Sequence, residues 1–147
     1  MPRVRLSEQE DYEFVYAVTV QIGHINYAGH LGHDALVGMV WEARVHLFDS
    51  LGVEERNLGD GRTGIIMQDL VVNFLGEAFL HQELMIESHI GEVQPRSFRM
   101  FHRISSGNKR IALMETGLAA FDYKLRKTAA VPDIFLKALE DHGAEPR

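Results

Sequence analysis

Three of the chain's eight histidines, His24, His30 and His33, fall in one short segment, Gly23–Asp34 (GHINYAGHLGHD). An imidazole can take up or release a proton near neutral pH, so His24 and His30 are candidate bases. Asn26 offers an amide that both donates and accepts, suited to holding a water or a carbonyl oxygen. Asp34 adds a carboxylate that could act as base or nucleophile. The segment leads into a helix, and a helix start presents unpaired N–H groups at the positive end of its dipole. The backbone N–H of His33 sits there and can polarise a carbonyl oxygen. Gly29 and Gly32 let the backbone approach a ligand closely.

Each residue also has a plainer use. Asn26 is a common turn former, His30 can bond backbone at a helix entry, and Asp34 suits a helix first turn. The three histidines with Asp34 lack the His-Glu-x-x-His spacing of a zinc helix, so neither a metal nor a cofactor is expected. Farther along, Asp69 interrupts an apolar run, IIMQDLVVNF, where a buried carboxylate needs a partner. It either faces the site across a dimer interface or points to solvent. Glu42 needs a partner for the same reason, and Arg44 is on the wrong helix face to supply it. Arg103, Lys109, Arg110, Lys124, Arg126 and Lys127 could meet ligand phosphates, although a solvated rim is the simpler reading of any one.

The elements that would position these groups follow from periodicity. Tyr12–Gln21 is rich in aromatic and β-branched residues and reads as a strand. From His33 to Leu51 the apolar positions Leu36, Val40, Ala43, Leu47 and Leu51 recur at helical steps. Val37, Trp41 and Phe48 widen that surface, so the helix should be buried on several sides. Gly52 ends it, and its length of about 28 Å can cross a small sheet. Gly64–Leu75, Gln82–Val93, Arg96–Ser106 and Lys109–Tyr123 read as strands, with alternation clearest in SFRMFHRI and a turn at Ser106–Gly107–Asn108. Pro132 opens a short helix, Asp133–Asp141, and residues 143–147 are expected to fray. Consecutive strands joined by tight turns imply an α+β fold, an antiparallel sheet of about five strands wrapped around one long central helix.

The bulk properties are consistent with one domain over residues 1–147 and a core over about 12–135. Its 147 residues suit one core, and 46% apolar with 24% charged residues is ordinary for a globular chain. A net charge of −6 argues against nucleic acid as partner. The chain has no cysteine, which excludes disulfides, thiolate catalysis and cysteine-based zinc sites. No apolar run approaches the roughly 20 residues that cross a bilayer, and no secretory leader is evident, so a cytoplasmic protein without membrane contact is expected.

The stretch Gly29–Arg44, GHLGHDALVGMVWEAR, resembles the glycine–histidine, helix and Glu-x-Ala-Arg signature of the 4-hydroxybenzoyl-CoA thioesterase-like hotdog proteins. Asn73–Ala78 (NFLGEA) is similar to that family's second strand and turn, and Ala130–Val131–Pro132 to its ending. The resemblance covers residues 12–135. It implies a hotdog fold, a homodimer or homotetramer, and hydrolysis of an acyl-CoA thioester with the acyl group near the helix start. The His33 amide matches the family's carbonyl-polarising group. Where many members carry carboxylates, this chain has Asn26 and, two residues earlier, His24. The proton acceptor is therefore left open among His30, His24 and Asp69. Two other readings use the same fold: a non-catalytic module that binds an acyl-CoA, and a dehydratase acting on hydroxyacyl thioesters.

Overall fold

The computed structural model describes residues 1–142, and the end expected to fray, 143–147, lies outside the described residues. The chain runs β1 (Phe14–Thr19), a single 3-10 turn (Ile22–His24), α1 (His33–Ser50), β2 (Thr63–Phe74), β3 (Glu83–Gln94), β4 (Ser97–Ser106), β5 (Lys109–Asp122), β6 (Lys127–Thr128) and α2 (Asp133–Asp141). The strands form one antiparallel sheet in the order β1-β3-β4-β5-β2, with β6 added beside β5. This is the hotdog arrangement, with six strands rather than five. The sixth holds only Lys127 and Thr128, too short and polar to show a period.

Alternation along the strands decides what each face of the sheet does. In β4, Phe98, Met100, His102 and Ile104 are buried and face α1, while Arg99, Phe101 and Arg103 face the other way and are half-buried. Their partners follow the same rule: Ile86 and Ser88 in β3, and Ala112, Met114, Thr116 and Leu118 in β5, share the α1 side. Against them α1 buries Leu36, Met39, Val40, Ala43, Arg44, Leu47 and Phe48. Phe135 of α2 packs on Phe48 and Phe98, with ring centroids 5.8 and 5.3 Å away, and closes one end.

α1 is less enclosed than its apolar composition predicts. Trp41 is 56% exposed and Val45 39%, and Trp41 lines a groove with Met67 and Leu70 of β2. Among the described residues no strand pairs with the outer edge of β2, and its Ile66, Met67, Leu70 and Phe74 are also exposed. The linker after α1 returns Glu55 to the helix, where its Oε1 accepts from Arg44 Nε (3.1 Å) and Trp41 Nε1 (3.0 Å). Arg44 is thus partnered inside this chain. No helix among the described residues is long and apolar enough to cross a membrane.

Candidate active site

The segment before α1 is a tight hydrogen-bonded loop centred on Asn26. Its Oδ1 accepts from Ala28 N (3.0 Å) and His30 N (3.3 Å), and its backbone N donates to His30 O (2.8 Å). Gly29 sits at φ +88°, which glycine adopts without the steric cost a side chain brings. Asn26 therefore shapes the turn with its oxygen. Among the described residues no acceptor takes up its Nδ2.

His24 and His30 come out differently. His24 Nδ1 accepts from Gln21 N (2.9 Å) and closes the 3-10 turn, so the neutral ring carries its proton on Nε2 and its lone pair is used. His30 Nδ1 lies 3.1 Å from Leu31 O. A carbonyl only accepts, so Nδ1 holds the proton and leaves the Nε2 lone pair free. That Nε2 is 3.8 Å from Glu77 Oε1, and the ring is 30% exposed. Of the two, only His30 has the lone pair that a base requires.

Glu77 was no sequence candidate. It lies past the end of β2 and reaches the helix start because Leu31 N donates to Ala78 O (2.8 Å). Lys109 Nζ fixes the same turn by donating to Glu77 O (2.7 Å). That tie is tertiary and leaves no spacing signal, although Glu77 stands inside the segment Asn73–Ala78.

His33 opens α1 and both His33 and Asp34 are exposed. Gly32 gives the helix no side-chain cap. Among the described residues the N–H groups of His33, Asp34 and Ala35 meet no acceptor; the first α1-type bond is Leu36 N to Gly32 O. Asp34 Oδ1 folds back over Gly32, 2.6 Å from where a Cβ would stand. The result is a cluster of free amide donors, an imidazole lone pair and two carboxylates, Asp34 and Glu77, around one helix start.

Asp69 is elsewhere. It pairs with Gly117 on the sheet face turned away from α1, and its Oδ2 accepts from Arg99 Nη2 at 2.9 Å. Glu115 takes the other side of the same guanidinium. The hydrogen bond from Arg99 holds the Asp69 carboxyl below the usual carboxylate range. Within one chain, the sheet separates Asp69 from the start of α1. Arg103 and Arg110 are likewise engaged, both on Glu8. No cluster of three metal-ligating side chains occurs among the described residues.

The family model of the thioesterase-like superfamily matches residues 20–139. The chain belongs to that superfamily. Among solved structures it is similar to a 1,4-dihydroxy-2-naphthoyl-CoA thioesterase from Synechocystis, at 20% identity over 87% of this chain and 96% of that one, with a TM-score of 0.78. It is also similar to a gentisyl-coenzyme A thioesterase, at 20% identity over 84% and 98%, TM-score 0.74. A probable thioesterase from Escherichia coli shares 18% identity over 88% and 98%, TM-score 0.73. No curated protein matches the chain.

Proposed function

We propose that this chain is a thioesterase that hydrolyses an acyl-CoA to the free acid and coenzyme A at the start of α1. The observation that carries this is the free Nε2 lone pair of His30, three residues before the uncapped amides that open α1. The thioester oxygen would lie against the His33 and neighbouring N–H groups, which stabilise the negative charge that grows on it. Water attacks the carbonyl carbon while His30 Nε2 takes its proton. As the tetrahedral intermediate collapses, the C–S bond breaks and the thiolate leaves. The imidazolium then returns its proton to the sulfur. Asn26 Nδ2 remains free to hold the water or substrate.

Support for the substrate class comes from superfamily membership and from two structural relatives whose names specify aroyl-CoA thioesters. Steady-state assays with short, aromatic and long acyl-CoAs test the reading. Turnover of none would sink it.

Asn26, standing where the resemblance expects a carboxylate, favours a second reading: a module that binds acyl-CoA without hydrolysing it. Tight binding with no release of thiol would establish that alternative.

A second copy belongs to this proposal. The linker after α1 already meets the first residues of β2, where Ile65 N donates to Glu55 O (2.7 Å), but from Ile66 onward this edge strand exposes apolar side chains, a surface that proteins cover. An isologous pairing of β2 with β2 would also cover Trp41 and Val45. A monomeric mass by analytical ultracentrifugation at micromolar concentration would rule this pairing out.

A further inference from the structure

Residues 1–12 (MPRVRLSEQEDY) form no helix or strand, yet Leu6, Gln9 and Tyr12 are half-buried. Among the described residues no backbone–backbone hydrogen bond joins this arm to the sheet. Side chains hold it instead. Asn73, near the end of β2 and 6% exposed, accepts at Oδ1 from Leu6 N (2.7 Å) and donates from Nδ2 to Val4 O (2.9 Å). Two residues past Leu6, Glu8 Oε1 accepts from Arg103 Nη1 of β4 (3.0 Å) and Arg110 Nε of β5 (2.8 Å). The Arg103 guanidinium also lies 4.6 Å from the centre of the Tyr12 ring. The arm therefore crosses the sheet from β4 to β2 on the face turned away from α1. A buried amide with both ends unmet is costly, so Asn73 specifies the docked arm.

The two strand ends that the arm grips are those that build the turn beside the helix start. Just past Asn73, Leu75 N and Gly76 N both donate to Ile111 O (2.9 and 3.1 Å), on the residue after Arg110. Lys109, the residue before Arg110, donates from Nζ to Glu77 O (2.7 Å). Ala78 O then accepts from Leu31 N (2.8 Å), and Leu31 O is the acceptor that orients the His30 ring. This turn has little slack, since a Cβ on Gly76 would stand 2.9 Å from Arg110 O. Hydrogen bonds and short stretches of chain thus connect the arm to the loop that opens α1.

Resting on the thioesterase reading, we propose that the arm is a strap for the active site, with Asn73 and Glu8 as positioning residues that hold the turn between β2 and β3, and through it Leu31 and His30, in place against the start of α1. Both act from the far face of the sheet. Their influence falls on kcat because small displacements at a reaction centre lower the rate steeply. The strap is fastened by a few side chains, one of them the 44% exposed Glu8, so it can be released while the sheet stays folded.

The test uses the full chain carrying Leu6→Pro and Glu8→Lys. These changes remove the N–H given to Asn73 and set a cation against Arg103 and Arg110, leaving the sheet untouched. Trypsin should then cut after Arg5 about tenfold faster than in the wild type. Hydrogen exchange at the Leu31 amide should quicken about tenfold, with Met100 and Leu118 in mid-sheet unchanged. Well below the melting temperature, kcat for the best acyl-CoA should fall about tenfold. Cleavage that stays slow would show that neither contact fastens the arm and would overturn the proposal. A freed arm that leaves either Leu31 exchange or kcat as in the wild type overturns it too, and so does exchange that rises equally at all three amides. If the wild type hydrolyses no acyl-CoA, the enzyme reading fails separately, and exchange at Leu31 alone decides the strap.

Discussion

The two faces of the sheet treat polar groups in opposite ways. On the face away from α1, charge meets charge: Arg99 lies between Asp69 and Glu115, Arg103 between Glu87 and Glu8, and His89 Nδ1 is 2.8 Å from Glu13. On the face toward α1 and at the helix start, groups are left over: the Nε2 of His102, the hydroxyl of Thr116, the lone pair of His30 and the first amides of α1. Cross-strand neighbours of opposite charge satisfy one another at the spacing the ladder imposes. Leftover groups persist only where a ligand, water or second copy completes them, which is why the chemistry is assigned to the α1 side although carboxylates are more numerous on the other.

The most direct way to break this comparison is to remove His30. His30→Ala should lower kcat for the best acyl-CoA by about 100-fold or more, with the melting temperature little changed. Full activity in H30A would move the base elsewhere.

Acidification comes next. Burial, with Arg44 nearby, pushes the His102 imidazole down to about 3. Between that value and about 6.5, the unfolded chain binds a proton that the folded one does not, so stability is lost as pH falls through this window. Going from pH 7 to 4.5 should cost roughly 2–3 kcal/mol in urea unfolding that His102→Gln does not lose. Identical pH profiles for the two proteins would mean that His102 is hydrated after all.

Asn26 sharpens the comparison from the loop side. Asn26→Ala removes the acceptor for two backbone N–H groups and should destabilise by about 1–2 kcal/mol. Asn26→Asp keeps an acceptor oxygen and adds a carboxylate beside His30. Its kcat should rise about tenfold if the helix start is the reaction centre, and an unchanged kcat would separate this loop from the chemistry.

The smallest effect is expected at Asp69. Its side chain is 52% exposed, so Asp69→Asn should cost no more than about 1 kcal/mol and leave kcat within twofold. A collapse of turnover in D69N would show that the carboxylate reaches a site in the second copy, and the contrast between the faces would no longer hold.

Much of this was legible along the chain. Helical spacing places α1 at His33–Ser50 against an expectation of His33–Leu51, and the strands β2 to β5 begin and end within a residue or so of their predicted limits. Such agreement arises because apolar period is a local record of which face will be buried. The location of the helix-start loop was equally local, since glycines, histidines and the helix entry are contiguous there. Which imidazole keeps a free lone pair was not legible, although the contacts that decide it are close in sequence, because spacing does not record how a ring is turned. That depends on Gln21 N meeting His24 and Leu31 O meeting His30.

What the sequence determined by itself, then, was the two helices, the five longer strands, the apolar side of β4, and the segment that opens α1. Tertiary structure alone decided that Glu77 stands beside His30, that Asp69 is held by Arg99 behind the sheet, and that Thr116 and His102 are buried with polar atoms unmet. The physical reason is range. Periodicity and turn chemistry act over a few residues, whereas these pairings join positions 30 to 47 apart that only the antiparallel register and the docking of α1 bring together.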